Sequence, residues 1–152
     1  MKQDNKNQKL EFEKFFSGKV EAKGYMCFFY PKKKIKKLKV SFIGSFKNKK
    51  LKLLEEYFED DLKTLREWHF EKVSKSEFIG NGENIVNAFR LHIKNDFLEM
   101  RYKFKTQYKN FNFNVYVEDK MYLINQNIII NYTKISKLFI PIAQSHLLYK
   151  KL

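Results

Sequence analysis

The sequence is poor in the residues that build rigid frameworks. Cysteine occurs once, at Cys27, which excludes a disulfide framework and a CxxC metal clip. Proline occurs twice and glycine five times in 152 residues, so no flexible linker divides the chain, and its length suits one domain. Arginine is scarce as well: of 31 basic residues, only Arg66, Arg90 and Arg101 are arginines. Phosphate and base-edge readers favour the planar fork of arginine. A net charge of +14 carried by lysine therefore implies non-specific adhesion to nucleic acid, or peripheral contact with an anionic membrane, rather than sequence readout. No stretch approaches the ~20 apolar residues of a membrane-spanning helix. The opening MKQDNKNQKLEFEKFF lacks the apolar core and cleavage site of a signal peptide, which makes the cytoplasm the default location.

Reaction motifs are missing too. His69, His92 and His146 show no HxH or HExxH spacing, and there is no GxSxG, Gly-rich phosphate loop or dinucleotide fingerprint. No metal and no cofactor is expected on these grounds.

What the sequence has in quantity is apolar and aromatic residues in alternation. Hydrophobic residues make up 43% of the chain, with sixteen Phe and nine Tyr, enough apolar surface to offset the entropy of ordering and exclude disorder. From Val20 onward the period is two, the mark of half-buried strands. Val20, Ala22, Gly24, Met26 and Phe28 share a face, as do Leu38, Val40, Phe42, Gly44 and Phe46. Pro31 with lysines 32 to 34, Lys47 to Lys50, and Asn95-Asp96 read as turns. Further strands fall at Leu62 to Val73, Glu77 to Asn84, Ala88 to Lys94 and Phe97 to Lys105. Phe113, Val115 and Val117 alternate ahead of Glu118-Asp119, and the last strands lie within Met121 to Ser136 and Ile142 to Lys151. Nine or ten short antiparallel strands in series predict an all-β, up-and-down barrel, which removes exposed edges. Residues 1–14 are assigned to a polar N-terminal extension and 15–152 to the barrel. Leu10, Phe12, Phe15 and Phe16 fit a short helical or irregular segment able to plug one end.

Polar residues on apolar faces mark the candidate site. Glu55 continues the face of Leu51 and Leu53, and Arg66 precedes Trp68 on the next strand. A carboxylate on such a face is costly unless paired, which predicts a fork-to-carboxylate pair between Glu55 and Arg66. It either orients a ligand inside the barrel or serves as a structural ion pair near the rim. Glu118 and Asp119 point to opposite faces, so they cannot share a site. Glu118 is taken toward the interior with Asn131, and one of the two acids as a turn cap. The lysines 32 to 37 beside Tyr30 read as a solvated hairpin tip or as a track for phosphates.

These segments resemble the DUF3833 family, whose activity is not established. The resemblance runs from about Phe15 to Lys151. It opens at Phe16-Ser17-Gly18 with Val20 and Gly24, and is strongest at Leu51, Leu53, Glu55, Asp60, Asp61, Arg66 and Trp68. Tyr102, the run Glu118 to Leu123, Ile130-Asn131 and Lys137 extend it. The sequence departs from the family pattern at Leu62, Asn84, Asn87, Lys120 and Tyr132. The resemblance implies a calycin- or lipocalin-like barrel and adds Tyr102 to the candidate site. It also implies an envelope location as the alternative to the cytoplasm. The resulting expectation is a carrier of a small, largely apolar ligand oriented by Glu55, Arg66, Trp68, Tyr102, Glu118 and Asn131. Two alternatives stand beside it: an enzyme using Glu55 or Glu118 as acid or base on a lipid-like substrate, and a basic surface for nucleic acid or anionic membrane.

Overall fold

Each strand is long enough for its alternating residues to build one continuous inner wall. A computed structural model describes residues 8–152. The elements are α1 (Phe12–Phe15), β1 (Gly18–Phe28), β2 (Lys34–Lys47), β3 (Lys50–Glu59), β4 (Leu62–Ser74) and β5 (Glu77–Gly82), then β6 (Phe89–Lys94), β7 (Phe97–Tyr108), β8 (Phe111–Asn125), β9 (Ile128–Lys137) and β10 (Ile140–Lys151). Consecutive strands pair antiparallel, and β10 returns to β1 with Val20 opposite Lys151, closing a ten-stranded barrel. The predicted all-β, up-and-down barrel is thus the observed fold.

Inward positions follow the expected parity. Val20, Leu51, Phe78, Leu91, Leu98 and Ile129 are among the most buried residues, while their sequence neighbours face solvent and many are lysines. Lys47–Lys50 closes β2 on β3 with Asn48 and Lys49 at positive φ, and Asn95 takes the same conformation between β6 and β7. These two-residue turns match the right-handed twist of the strands they join.

Two boundaries differ from the expectation. Glu118 and Asp119 form no turn, because β8 runs unbroken through them to Asn125. The polar extension also ends earlier than residue 14. Residues 1–7 lie outside the described residues, but Leu10 and Phe12 are buried in the core and Leu10 N–H donates to the Asn95 carbonyl at 2.8 Å. They belong to the barrel because α1 is its plug.

That plug closes the end of the barrel where β1 begins. The Phe12 ring meets Phe16, Phe70 and Phe78 at 4.9 to 5.2 Å between centroids, mostly in the edge-on geometry aromatic quadrupoles favour. Lys151 Nζ donates to the carbonyls of Lys14 and Phe15, which end the short helix without intrahelical partners, and to that of Ser17 just beyond it. Gly44 admits the chain: a Cβ there would collide with the Phe16 carbonyl oxygen. The other end, ringed by the β1–β2, β3–β4, β5–β6, β7–β8 and β9–β10 connections, is the mouth.

Candidate functional site

Between plug and mouth lies a cavity of about 170 Å³. Its floor includes Phe12 and Phe16, and Trp68, Met26, Phe104 and Val117 contribute to its walls. An apolar cavity near this size accommodates a single aromatic ring. It falls short of the ~300 Å³ typical of drug-sized sites.

Polar groups from four parts of the wall meet at its mid-height. On β3 and β4, Glu55 and Arg66 stand opposite each other in register. They form the expected ion pair but not a hydrogen-bonded fork: Arg66 Nε is 4.0 Å from Glu55 Oε2, and the guanidinium lies over the rings of Phe104 (4.6 Å) and Tyr57 (5.3 Å). Arginine's weakly hydrated plane suits this sandwich better than an ammonium would. The carboxylate's hydrogen bond comes instead from Trp68, whose Nε1–H donates to Oε2 at 3.0 Å. Tyr102 joins from β7, its ring edge-on to Trp68 with centroids 5.5 Å apart.

Across the lumen the acid is Asp119. It follows Val115 and Val117 inward, whereas Glu118 is on the outer face, opposite Arg101 and Lys134 in register. The assignment of Glu118 to the site is therefore corrected to Asp119. The Glu118-Asp119 pair looked like a turn; the signal that could have found Asp119 is the parity of Phe113, Val115, Val117 and Met121. Asn131 Nδ2 donates to Asp119 Oδ1 and to the Lys120 carbonyl, and Thr133 Oγ1 donates to the same Oδ1 at 3.0 Å. Tyr149 O–H reaches Asn131 Oδ1 at 3.4 Å. Tyr57, which the alternation puts on the face of Glu55, lines the cavity too, with Thr133, Ser145 and Tyr149, whose hydroxyls the sequence did not single out.

Burial sets the protonation of this band. It is the main cause raising the Glu55 carboxyl above its ordinary range, against the opposing effects of Arg66 and the Trp68 bond. It carries Asp119 up to about 6, although the bonds from Asn131 and Thr133 favour the anion. Burial, aided by neighbouring acids, also raises Tyr57, Tyr102 and Tyr149, so these phenols keep their protons at neutral pH.

The band is not saturated. No fully enclosed side-chain nitrogen or oxygen lacks a partner among the described residues. Yet the bonds to the two acids all fall on Glu55 Oε2 and Asp119 Oδ1. Among the described residues no hydrogen bond reaches Glu55 Oε1, Asp119 Oδ2 or Ser145 Oγ, and none of these atoms is fully enclosed. The arrangement offers donors and acceptors to a guest inside an otherwise apolar sleeve. No group of three or more His, Cys, Asp or Glu side chains able to hold a metal ion occurs among the described residues.

The family model described as "Protein of unknown function (DUF3833)" matches residues 1–151. The chain belongs to the DUF3833 family. Among solved structures, this DUF3833 protein is similar to an S-type phycobiliprotein lyase from Guillardia theta, with a TM-score of 0.63 and 8% identity over 96% of this chain and 95% of that one. It is also similar to Rv2717c from M. tuberculosis, with a TM-score of 0.56 and 8% identity over 90% and 92% of the two chains. At that identity the likeness is one of fold, a lipocalin-like barrel. No curated protein matches the sequence.

Proposed function

We propose that this DUF3833 protein binds one small amphipathic molecule inside the barrel, its polar group at the Glu55–Asp119 band and its apolar body toward the mouth. The observation that carries this reading is the set of open hydrogen-bonding atoms on Glu55, Asp119 and Ser145 inside an apolar cavity. Buried polar groups are ordinarily satisfied by the protein itself. A cavity that keeps several unused is shaped for a partner that supplies the missing bonds. Protonated phenols donate and the carboxyl oxygens of Glu55 and Asp119 accept, which favours a hydroxyl on the guest. The small volume favours one ring or a short chain over a bulky cofactor. That a phycobiliprotein lyase from Guillardia theta shares this barrel agrees with a barrel of this shape serving a small molecule.

Native mass spectrometry of the purified full chain, repeated after denaturation, tests this. A molecule carried at one per chain and released on unfolding is the expected result. A chain that carries nothing and takes up no small phenol or alcohol when these are supplied would count against it.

A second reading rests on Asp119 alone. A carboxyl titrating near 6 with one open oxygen is placed to exchange a proton near neutrality. Acid–base turnover would appear as a guest recovered chemically changed, which simple carriage excludes.

A further inference from the structure

The two ends of the barrel differ in chemistry. Every two-residue turn at the plugged end is polar: Asn48-Lys49, Lys75-Ser76, Asn95-Asp96 and Gln126-Asn127. At the mouth, the β9–β10 turn is Leu138-Phe139, with Leu138 80% exposed and Phe139 wholly exposed. Ile140 follows it, Tyr30 stands on the neighbouring β1–β2 tip and Phe111 on the neighbouring β7–β8 tip, each more than half exposed. Pairing of β1 with β10 and of β8 with β9 makes these three tips one continuous sector.

Backbone geometry sets the Leu138-Phe139 turn apart. Both residues are at positive φ, 48° and 67°, a conformation that hairpins ordinarily give to Asn, Asp or Gly and that bulky side chains rarely adopt. Among the described residues, the others in it are Asn, Asp, Lys and one glycine, Gly18. A turn that is both strained and greasy has no rationale in the folding of the free chain. It does have one if the side chains are wanted outside.

Beside these residues, the β1–β2 tip carries Lys32, Lys33 and Lys34, all exposed. Apolar and aromatic fingers flanked by lysines are the composition of a segment that enters the interface of an anionic bilayer. Among the described residues no helix is long and apolar enough to cross a membrane. The strands carry no unbroken lipid-facing band either, since outward positions such as Lys19, Lys23, Lys37 and Lys39 bear charged ammonium groups. The acidic β3–β4 tip, Asp60-Asp61, borders the β1–β2 tip on the side away from Leu138-Phe139, where Glu59 pairs with Lys36.

We infer that the mouth docks on an anionic lipid bilayer, with the Leu138-Phe139 turn and Tyr30 inserted among the headgroups and lysines 32 to 34 on their phosphates. Docking stands on the rim alone; that it delivers the guest between lipid and cavity rests on the function proposed above. In this orientation the apolar upper wall opens directly toward the acyl region, and an amphipathic guest passes in without crossing water.

The test is co-sedimentation of the full chain with vesicles of phosphatidylcholine and phosphatidylglycerol, against phosphatidylcholine alone, across a salt series. Wild type is expected to bind the anionic vesicles and to weaken as salt rises. The double variant Leu138→Asn with Phe139→Gly removes the fingers while suiting the turn, so it should fold, raise the melting temperature, and bind at least about tenfold more weakly. Lys32→Glu with Lys33→Glu should also weaken binding to the anionic vesicles, whereas Lys49→Glu with Lys75→Glu, the same charge change at the plugged end, should bind as wild type does. Val117→Phe, which fills the cavity, should also keep vesicle binding, so failure of the cavity reading and failure of docking are told apart. Undiminished binding by the turn variant overturns the inference. So does equal loss in the plugged-end variant, or a turn-dependent dimer in sedimentation velocity without vesicle binding.

Discussion

Trp68 Nε1 donates to Glu55 Oε2 at 3.0 Å, although the residue facing Glu55 across the β3–β4 ladder is Arg66. The indole reaches diagonally along the wall, leaving the guanidinium to stack on Phe104 and Tyr57. Glu55 is thereby held by a neutral donor and only loosely by a charge.

Glu55→Gln keeps an acceptor for the indole and is expected to change stability by less than about 1 kcal/mol. Glu55→Leu strands the buried N–H and is expected to cost about 1–3 kcal/mol. Urea unfolding followed by Trp68 fluorescence compares them, and equal losses would show that the indole bond is not what holds this acid.

Asp119 ties stability to pH. Its native pKa of about 6 exceeds the ordinary 3.8, so between these values the folded state binds more protons than the unfolded one. Stability from this group is therefore greatest below the ordinary value, falls as pH rises toward 6, and is level above it. The loss is about 3 kcal/mol over the window, as an order of magnitude. Glu55, raised for the same main reason, acts in the same direction. Asp119→Asn should remove the Asp119 part, so its advantage over wild type in urea unfolding grows from pH 4 to about pH 6 and then holds. An advantage independent of pH would contradict the assigned burial cost.

The plug depends on Gly44. A methyl there meets the Phe16 carbonyl and the side chain of Leu53, and backbone cannot yield as a flexible side chain can. Gly44→Ala is expected to destabilise by about 1–3 kcal/mol and to expose the cavity floor to a fluorescent apolar dye. A stable variant without dye binding would mean that α1 does not seat as described.

At the mouth, replacing Leu138 by Asn and Phe139 by Gly relieves two bulky residues of a left-handed backbone. The expected gain is about 1–2 kcal/mol, read from the urea midpoint. No gain would remove the argument that this turn is maintained against local preference.

Much of this was legible in the sequence because a barrel repeats one rule. Once Leu51, Leu53 and Glu55 share a face, parity alone brings Arg66 and Trp68 beside them on the next strand, and Asn131 inward on β9. Parity does not say which of two donors a carboxylate takes, which depends on side-chain reach across the ladder; hence the Arg66 fork was expected and the Trp68 bond was found. The same rule pointed to Asp119, but two adjacent acids resemble a turn, and reading one there broke the alternation that places Asp119 inside. The plug was visible as Leu10, Phe12, Phe15 and Phe16, yet the surrounding charges hid where the domain begins. The β9–β10 connection falls in the gap left between Ser136 and Ile142, but nothing in the sequence marks Leu138 and Phe139, poor turn formers, as its exposed tip.

The most direct test of the central claim is titration of the full chain with p-cresol, a single ring bearing one hydroxyl, followed by the NMR resonance of the Trp68 indole N–H. The account predicts a saturable shift at one site that Val117→Phe abolishes while the fold is retained. No shift in wild type, or the same shift in the filled variant, would show that the interior is packing and not a binding site.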